Sequence, residues 1–140
     1  MTISQLAREV GVKPSAIRYY EDIGVLRRPE RTSGQRRYDE AAAYRLAVVV
    51  RARQLGFTLD EIRELFFGFR ANATASERWK LLTRRKLAEL EEQMAQIRAM
   101  QDVLTRLNGC SCNVLERCGR GMLQSLRKEQ VLNRSGRKRV

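Results

Sequence analysis

Apolar residues recur every three or four positions through most of the chain, which is typical of amphipathic helices. The first such stretch covers residues 3–10 and stops at Gly11, so it predicts a helix of about two turns. Residues 12–15 read as a tight turn, and a second helical pattern follows and ends at Gly24. The opening of the chain therefore predicts a helix-turn-helix.

The pattern changes between Arg27 and Tyr38, where arginines flank a turn at Gly34. Two short extended pieces joined at that glycine would form a basic β-wing beside the first two helices. The alternative is a solvated charged loop, which is what most runs of charge are. The position next to the helix-turn-helix favours the wing.

Two more helices are predicted after the wing. Asp39 can cap a third helix, whose apolar pattern ends at Gly56. Thr58 and Glu61 have the spacing of a capping box, in which each side chain satisfies a backbone donor of the other residue, and they open a fourth helix. Its apolar residues are Ile62, Leu65, Phe66 and Phe69. Small and polar residues at 68–75 then form a connector.

From Ser76 to Asn108 nothing breaks the helical pattern, which predicts an arm of roughly 50 Å. Its apolar residues alternate by three and four positions as in a coiled-coil seam: Leu87, Leu90, Met94, Ile97 and Leu104. A small head cannot bury this stripe, so the arm predicts a coiled coil with a second copy of the chain. Gln101 is a polar position in the seam that would help to fix its register.

Three cysteines, Cys110, Cys112 and Cys118, follow the arm in a chain that has no histidine. An odd number does not close a disulfide framework, and their neighbours are loop-like, which favours a soft metal site or a redox site over ordinary buried thiols. Within the segment 109–126, residues 120–126 are predicted to form a short helix beside the cysteine loop. Residues 127–140 are expected to be a basic, disordered tail.

The composition narrows the possible partners and functions of the protein. The 140 residues carry 28 Lys and Arg against 16 Asp and Glu, a net charge of +12, which attracts polyanions but does not separate DNA, RNA and membrane surfaces. No stretch approaches a membrane helix and the start lacks a signal-peptide layout, so we expect a cytoplasmic protein. With no histidine, only arginines such as Arg117 and Arg120 could activate a thiol, so we expect no enzyme. An architectural DNA-binding protein with incidental cysteines is a further alternative.

Four blocks of sequence together carry a family resemblance: residues 3–7 (ISQLA), 17–21 (IRYYE), 36–38 (RRY) and 53–62 (RQLGFTLDEI). In this order, and followed by a dimerisation helix and a cysteine loop, they closely resemble the MerR family of bacterial transcription regulators, in its metal-sensing or iron–sulfur redox-sensing branch. The resemblance extends from the start of the chain to about Cys118.

The resemblance implies a mainly α fold with three parts: a winged helix-turn-helix DNA-binding head at 1–70, a long antiparallel dimerisation helix at 76–108, and the C-terminal cysteine loop. It also implies a homodimer on double-stranded promoter DNA that activates RNA polymerase by distorting the promoter spacer. Such indirect readout invests about 1–6 kcal/mol of elastic energy in the DNA.

The same resemblance implies which residues touch DNA, whereas the helical pattern turns Tyr20 inward, into the core. The expected DNA-binding residues lie in the second helix, the turn before it and the wing: Lys13, Ser15, Arg18, Tyr19, Arg36, Arg37 and Tyr38.

For the effector, the resemblance leaves several ions open. Divalent-ion sensors of the family commonly have a partner cysteine where this chain has Ser76, and sensors of monovalent copper, silver or gold are similar to this chain in having serine. Cys112 and Cys118 could hold Cu(I) between two thiolates. With Cys110 they could form a three-sulfur site for Hg(II), Cd(II) or Pb(II), whereas Zn(II) would need a fourth ligand such as Glu116 or water.

The loop also resembles that of the family's iron–sulfur redox sensors, which have four cysteines spaced C-x2-C-x-C-x5-C. The last three positions match this chain, but the first falls on Leu107. A [2Fe–2S] cluster needs four protein ligands, so a soft thiophilic metal is the first prediction and a thiol or iron–sulfur redox switch the alternative.

Overall fold

The computed structural model describes residues 1–137, and it confirms a mainly helical fold with a small antiparallel wing. Its elements in chain order are α1 (Ile3–Val10), α2 (Pro14–Asp22), β1 (Arg31–Thr32), β2 (Gln35–Arg36), α3 (Glu40–Gln54), α4 (Leu59–Phe67), α5 (Ala75–Asn108) and α6 (Leu115–Arg137). The chain divides into two compact units, one of residues Met1–Glu91 and one that starts at Glu92. Helix α5 begins in the first unit and continues into the second.

The helix-turn-helix forms as the sequence predicted. The Thr2 hydroxyl accepts from the backbone N–H of Gln5 at 3.3 Å, and the Gln5 side chain accepts from the Thr2 N–H at 2.8 Å. These two bonds satisfy donors that the first turn of a helix leaves free. Gly11 ends α1 with a φ of 80°, and Pro14, which has no N–H to lose, opens α2.

The wing is a two-stranded hairpin, as predicted. Arg31 pairs with Arg36 and Thr32 with Gln35, and the turn consists of Ser33 and Gly34. Both turn residues have positive φ, of 54° and 78°. Two consecutive residues of this conformation match the right-handed twist of a hairpin, and glycine adopts it without steric cost.

The first unit contains the hydrophobic core, to which α1, α2, α3, α4 and the start of α5 contribute. The most completely buried large side chains are Leu6, Ile17, Leu46, Val49, Ile62 and Leu82. Tyr20 packs against this cluster, in agreement with its predicted place in the core. Asp39 caps α3 and the predicted capping box of Thr58 and Glu61 opens α4.

The second unit differs from its prediction. Helix α6 extends from Leu115 to Arg137, whereas a short helix at 120–126 and a disordered tail from 127 were expected. The segment contains no proline that would interrupt the helical hydrogen bonds, and its Leu, Gln, Lys and Arg residues are good helix formers. The last three residues of the predicted tail, 138–140, lie outside the described part of the chain.

Candidate DNA-binding face and metal centre

One face of the helix-turn-helix is left open. Lys13, Ser15, Arg18 and Tyr19 all expose their side chains there, and Tyr19 is 52% exposed. Because Ile17 lies fully buried, Ser15, Arg18 and Tyr19 of α2 face away from the core, and Lys13 is exposed at the residue before the helix. Four of the predicted DNA-binding residues are therefore accessible at or beside α2.

A groove of about 380 Å³ lies between α2 and the wing, and arginines line it. It brings Arg18 of α2 together with Arg36 of the wing, two residues that were predicted separately to bind DNA. Arg31 lines the same groove but was not among the predicted DNA-binding residues. Its position in the arginine-rich wing could have indicated it. Three guanidinium groups in one concave surface favour a phosphate-rich partner.

A second groove, of about 540 Å³, lies between the wing and α3. Arg37, predicted to bind DNA, lines it with Arg27, Arg28 and Arg45, while Glu30 and Asp39 supply the acidic part of the lining. Arg45 was not predicted as a site residue because it lies within the helical pattern of α3, where a single arginine is ordinary.

The structure corrects the expectation for Tyr38. Its side chain is only 5% exposed, and its hydroxyl donates a hydrogen bond to Oε1 of Glu21, which is itself buried. Burial, together with the hydrogen bond to the Glu21 carboxylate, raises the pKa of Tyr38 to about 12. Tyr38 therefore holds the wing to α2 from inside the head, and its side chain is not available on the DNA-binding face.

Arg36 is half-buried because it also pairs with Glu21. Its Nη1 lies 3.3 Å from Oε2 of Glu21, although the two groups are not aligned as a hydrogen bond. The guanidinium still lines the groove between α2 and the wing. Arg36 thus combines an internal ion pair with a position on the candidate DNA-binding face.

The three cysteines come together in the second unit. Cys110 and Cys112 lie in the loop after α5, and Cys118 lies in the first turn of α6. The Sγ atoms of Cys110 and Cys118 are 3.5 Å apart, and all three Sγ atoms lie within 4.8 Å of one another. We call this group the cysteine triad. Helix α6 closes it by returning Cys118 to the loop across a separation of eight residues.

The triad has the dimensions of a thiolate metal site. Around an ion with metal–sulfur bonds of about 2.3 Å, neighbouring sulfurs lie about 3.8–4.6 Å apart, from tetrahedral to linear geometry. The observed sulfur separations fit that range after small side-chain shifts. Among the described residues this group contains no carboxylate, so Glu116, named as a possible fourth ligand for Zn(II), is not part of it. A two- or three-coordinate soft ion fits these donors.

Proton affinity differs among the thiols. The backbone N–H of Cys112 donates to Sγ of Cys110 at 3.3 Å, and this bond is the main reason why the pKa of Cys110 is lowered. The neighbouring thiols of Cys110 and Cys118 raise the pKa of Cys112 to about 12. Metal binding to the full triad would release the thiol protons of the whole group, which titrates as one coupled set.

Two further positions named from the sequence have defined places. Leu107, which stands where an iron–sulfur sensor has its first cysteine, accepts the N–H of Cys110 through its carbonyl oxygen at 3.1 Å. Ser76 is exposed in the first turn of α5. A backbone hydrogen bond thus holds the start of the loop against the end of α5. The sequence supplies no fourth cysteine.

Comparison with known proteins gives the family. Residues 1–67 match the profile described as MerR HTH family regulatory protein, and residues 44–107 match MerR, DNA binding. The mercuric resistance operon regulatory protein of Shigella flexneri is 39% identical over 114 residues, which cover 81% of this chain and 77% of that protein. The chain belongs to the MerR family. It is a transcription regulator.

The names of two further relatives of the regulator refer to metals. The heavy metal-dependent transcription regulator 2 of Rhizobium meliloti (strain 1021) is 35% identical over 132 residues, covering 89% of this chain and 90% of that protein. The structure of PbrR691 from Ralstonia metallidurans CH34, in complex with lead(II), has a TM-score of 0.68 and 32% identity, covering 90% of this chain and 98% of that one. The triad therefore occurs in a chain whose relatives include metal-responsive regulators.

A DNA complex is also among the similar structures. The cryo-EM structure of the EcmrR–DNA complex in EcmrR-RPo has a TM-score of 0.54 and 26% identity, and the match covers 93% of this chain and 41% of that one. None of the helices within residues 1–137 has the length and apolar character needed to cross a membrane.

Proposed function

We propose that this regulator binds promoter DNA as a homodimer and activates transcription when the cysteine triad holds a soft thiophilic metal ion. The observation that carries the proposal is the triad itself, three thiols within 4.8 Å on a regulator with an exposed arginine-rich head. The metal-responsive relatives support the same assignment.

Three-coordinate Hg(II), Cd(II) or Pb(II) suits the triad best. All three sulfurs are mutually close, so no cysteine is left out of the group as it would be in a two-thiolate Cu(I) site. Proximity of Cys110 to both other cysteines supports a ligand role for it as well. An iron–sulfur redox switch is the second candidate, and the absence of a fourth cysteine weighs against it.

The homodimer is supported by the apolar stripe of α5. Leu90, Met94 and Ile97 are 41–54% exposed in the single chain, and Leu87 and Leu104 are more exposed still. Apolar side chains spaced by three and four along one helix face lose this exposed area when a second helix packs on them. The antiparallel coiled coil implied by the family would bring two heads to the two halves of a pseudopalindromic promoter.

DNA contact is assigned to the open face and to the two grooves beside the wing. Lys13, Ser15, Arg18 and Tyr19 would meet DNA from α2, with Arg37 and the free part of Arg36 from the wing. Activation would then follow the family's mode, in which the dimer distorts the spacer and RNA polymerase uses the altered promoter.

Serine variants of the triad test the proposal. Cys112→Ser and Cys118→Ser should each abolish metal induction of a promoter reporter while operator binding is retained, because the thiols lie in the second unit and the DNA-binding face in the first. Cys110→Ser should cost most of the response to Hg(II), Cd(II) or Pb(II). Ser111→Ala, an exposed change between two of the cysteines, is the matched control and should respond normally.

Native mass spectrometry of the same variants, purified under reducing conditions without oxygen, should show one ion per subunit in the wild type and its loss in each cysteine variant. Full induction by every tested metal in the Cys112/Cys118 double variant would contradict a sensing role. A full response of Cys110→Ser to Cu(I) alone would favour the two-thiolate site, and a response to oxidants alone would favour redox sensing.

A further inference from the structure

A buried carboxylate joins α2 to the wing inside this very basic head. Glu21 belongs to α2, and its side chain is 1% exposed. Oε1 accepts the hydroxyl of Tyr38, and Oε2 lies 3.3 Å from Nη1 of Arg36. The two partners lie 17 and 15 residues away in the sequence, at the end of the wing. One carboxylate therefore connects two elements that both face the candidate DNA-binding groove.

The charge arrangement around Glu21 explains why it is buried there. Arg36 stands directly opposite Arg31 on the two-stranded ladder, and like charges in that position repel each other. The Glu21 carboxylate offsets this repulsion from the protein side. Oε2 of Glu21 and Nη1 of Arg36 are buried and have no well-aligned hydrogen-bond partner, so their attraction is mainly that of two charges. A buried charge without this partner would be strongly unfavourable.

The pair also sets where Arg36 can act. Arg18 of α2 and Arg36 of the wing line the same groove. Loss of the ion pair between Glu21 and Arg36 would therefore move one guanidinium relative to the other. With Glu21 present, Arg36 is partly neutralised and held to α2. Without it, Arg36 would become a free cation that any phosphate could attract.

We propose that Glu21 is a positioning and specificity-determining residue: it holds Arg36 and the wing in register with α2 and withholds the charge of Arg36 from unspecific phosphates. The inference rests on the proposed DNA binding of the head. It assigns to Glu21 an effect on the ratio of operator binding to unspecific binding, without a contact between Glu21 and DNA.

The test is Glu21→Gln, measured on an operator duplex recovered by in vitro selection and on a random-sequence duplex of equal length. The amide oxygen can still accept the Tyr38 hydroxyl, while the negative charge is lost. Affinity for random DNA should rise several-fold, and its dependence on salt should steepen by about 0.9 in the log–log slope, because Arg36 gains one phosphate contact. Affinity for the operator should fall, so that the ratio of the two drops about tenfold or more.

Glu9→Gln is the matched control, since it removes one exposed carboxylate of α1 that lines neither groove and gives the same net charge. It should change both affinities by similar factors and leave their ratio intact. Arg36→Met removes the cation through which Glu21 is proposed to act, so adding Glu21→Gln to it should no longer steepen the salt slope on random DNA. Arg36→Lys provides a second test in case Glu21→Gln folds poorly. It keeps the charge but not the reach of Nη1, so it should also lower the ratio of operator binding to random-DNA binding.

Circular dichroism of each variant shows whether the head is folded. A Glu21→Gln protein that loses affinity for both duplexes by the same factor would overturn the inference, as would one with unchanged affinities. A steepened salt slope that persists in the Arg36→Met background would overturn it too. A wild-type protein with no preference for any selected duplex would instead refute the proposed function.

Discussion

Arg78, in the first turn of α5, should be a main contributor to the stability of the head. Its guanidinium donates to the carbonyl oxygens of Leu65 and Phe66 at 3.1 and 3.0 Å, in the last turn of α4. It also donates to the carbonyls of Ala73 at 3.1 Å and Arg70 at 3.4 Å. One side chain thus satisfies acceptors that the end of α4 and the connector would otherwise leave free, and it anchors α5 there.

The magnitude follows from the two bonds to α4. A hydrogen bond from a charged donor contributes about 1.5–3 kcal/mol, and the lower value applies because Arg78 is half-exposed and water replaces part of each bond. For the loss of these two bonds alone, Arg78→Ala should therefore destabilise the protein by about 3 kcal/mol. At a urea m-value of about 2 kcal/mol per molar, the midpoint should fall by about 1.5 M.

Urea unfolding followed by circular dichroism, at one fixed protein concentration, measures this shift. Arg78→Lys should recover less than half of the loss, because an ammonium group cannot reach several carbonyls in different directions. Arg70→Ala is the control, since its side chain is 76% exposed in a long ion pair of 4.0 Å, and it should cost less than about 0.5 kcal/mol. An Arg78→Ala protein as stable as that control would refute the reasoning.

Three further predictions concern the dimer, DNA binding and alkaline pH. Leu90→Glu combined with Ile97→Glu should produce monomers in sedimentation, and a wild type that is monomeric at micromolar concentration would contradict the proposed coiled coil. Arg18→Ala and Arg37→Ala should each weaken operator binding and flatten its salt dependence, without loss of the dimer; unchanged affinity and slope would remove that residue from the DNA contacts. The pKa of Tyr38 is raised to about 12, so the stabilisation from its protonated hydroxyl should be complete below pH 10 and lost between about pH 10 and 12. Ultraviolet titration should show a tyrosine that ionises late, and Tyr38→Phe should remove that signal.

The sequence by itself determined the features that depend on near neighbours. The capping box of Thr58 and Glu61 joins residues three apart, and the Asp39 cap is equally local. The turn at Gly34 and the helical periods up to Asn108 are also short-range patterns, and so the wing and α1 to α5 formed close to the predicted positions, whereas α6 did not. The cysteines were evident as a group because their spacing in a histidine-free chain is unusual.

Only the tertiary structure decided what depends on contacts between distant residues. Arg37 and Tyr38 are adjacent in an arginine-rich segment, yet one is exposed and the other buried, because Tyr38 meets Glu21 from another element. The hydrogen bond from the Arg78 guanidinium to the carbonyl oxygen of Leu65 joins residues 13 positions apart. Local spacing carries no information on which distant polar atoms will meet, since burial and pairing are settled when the elements pack.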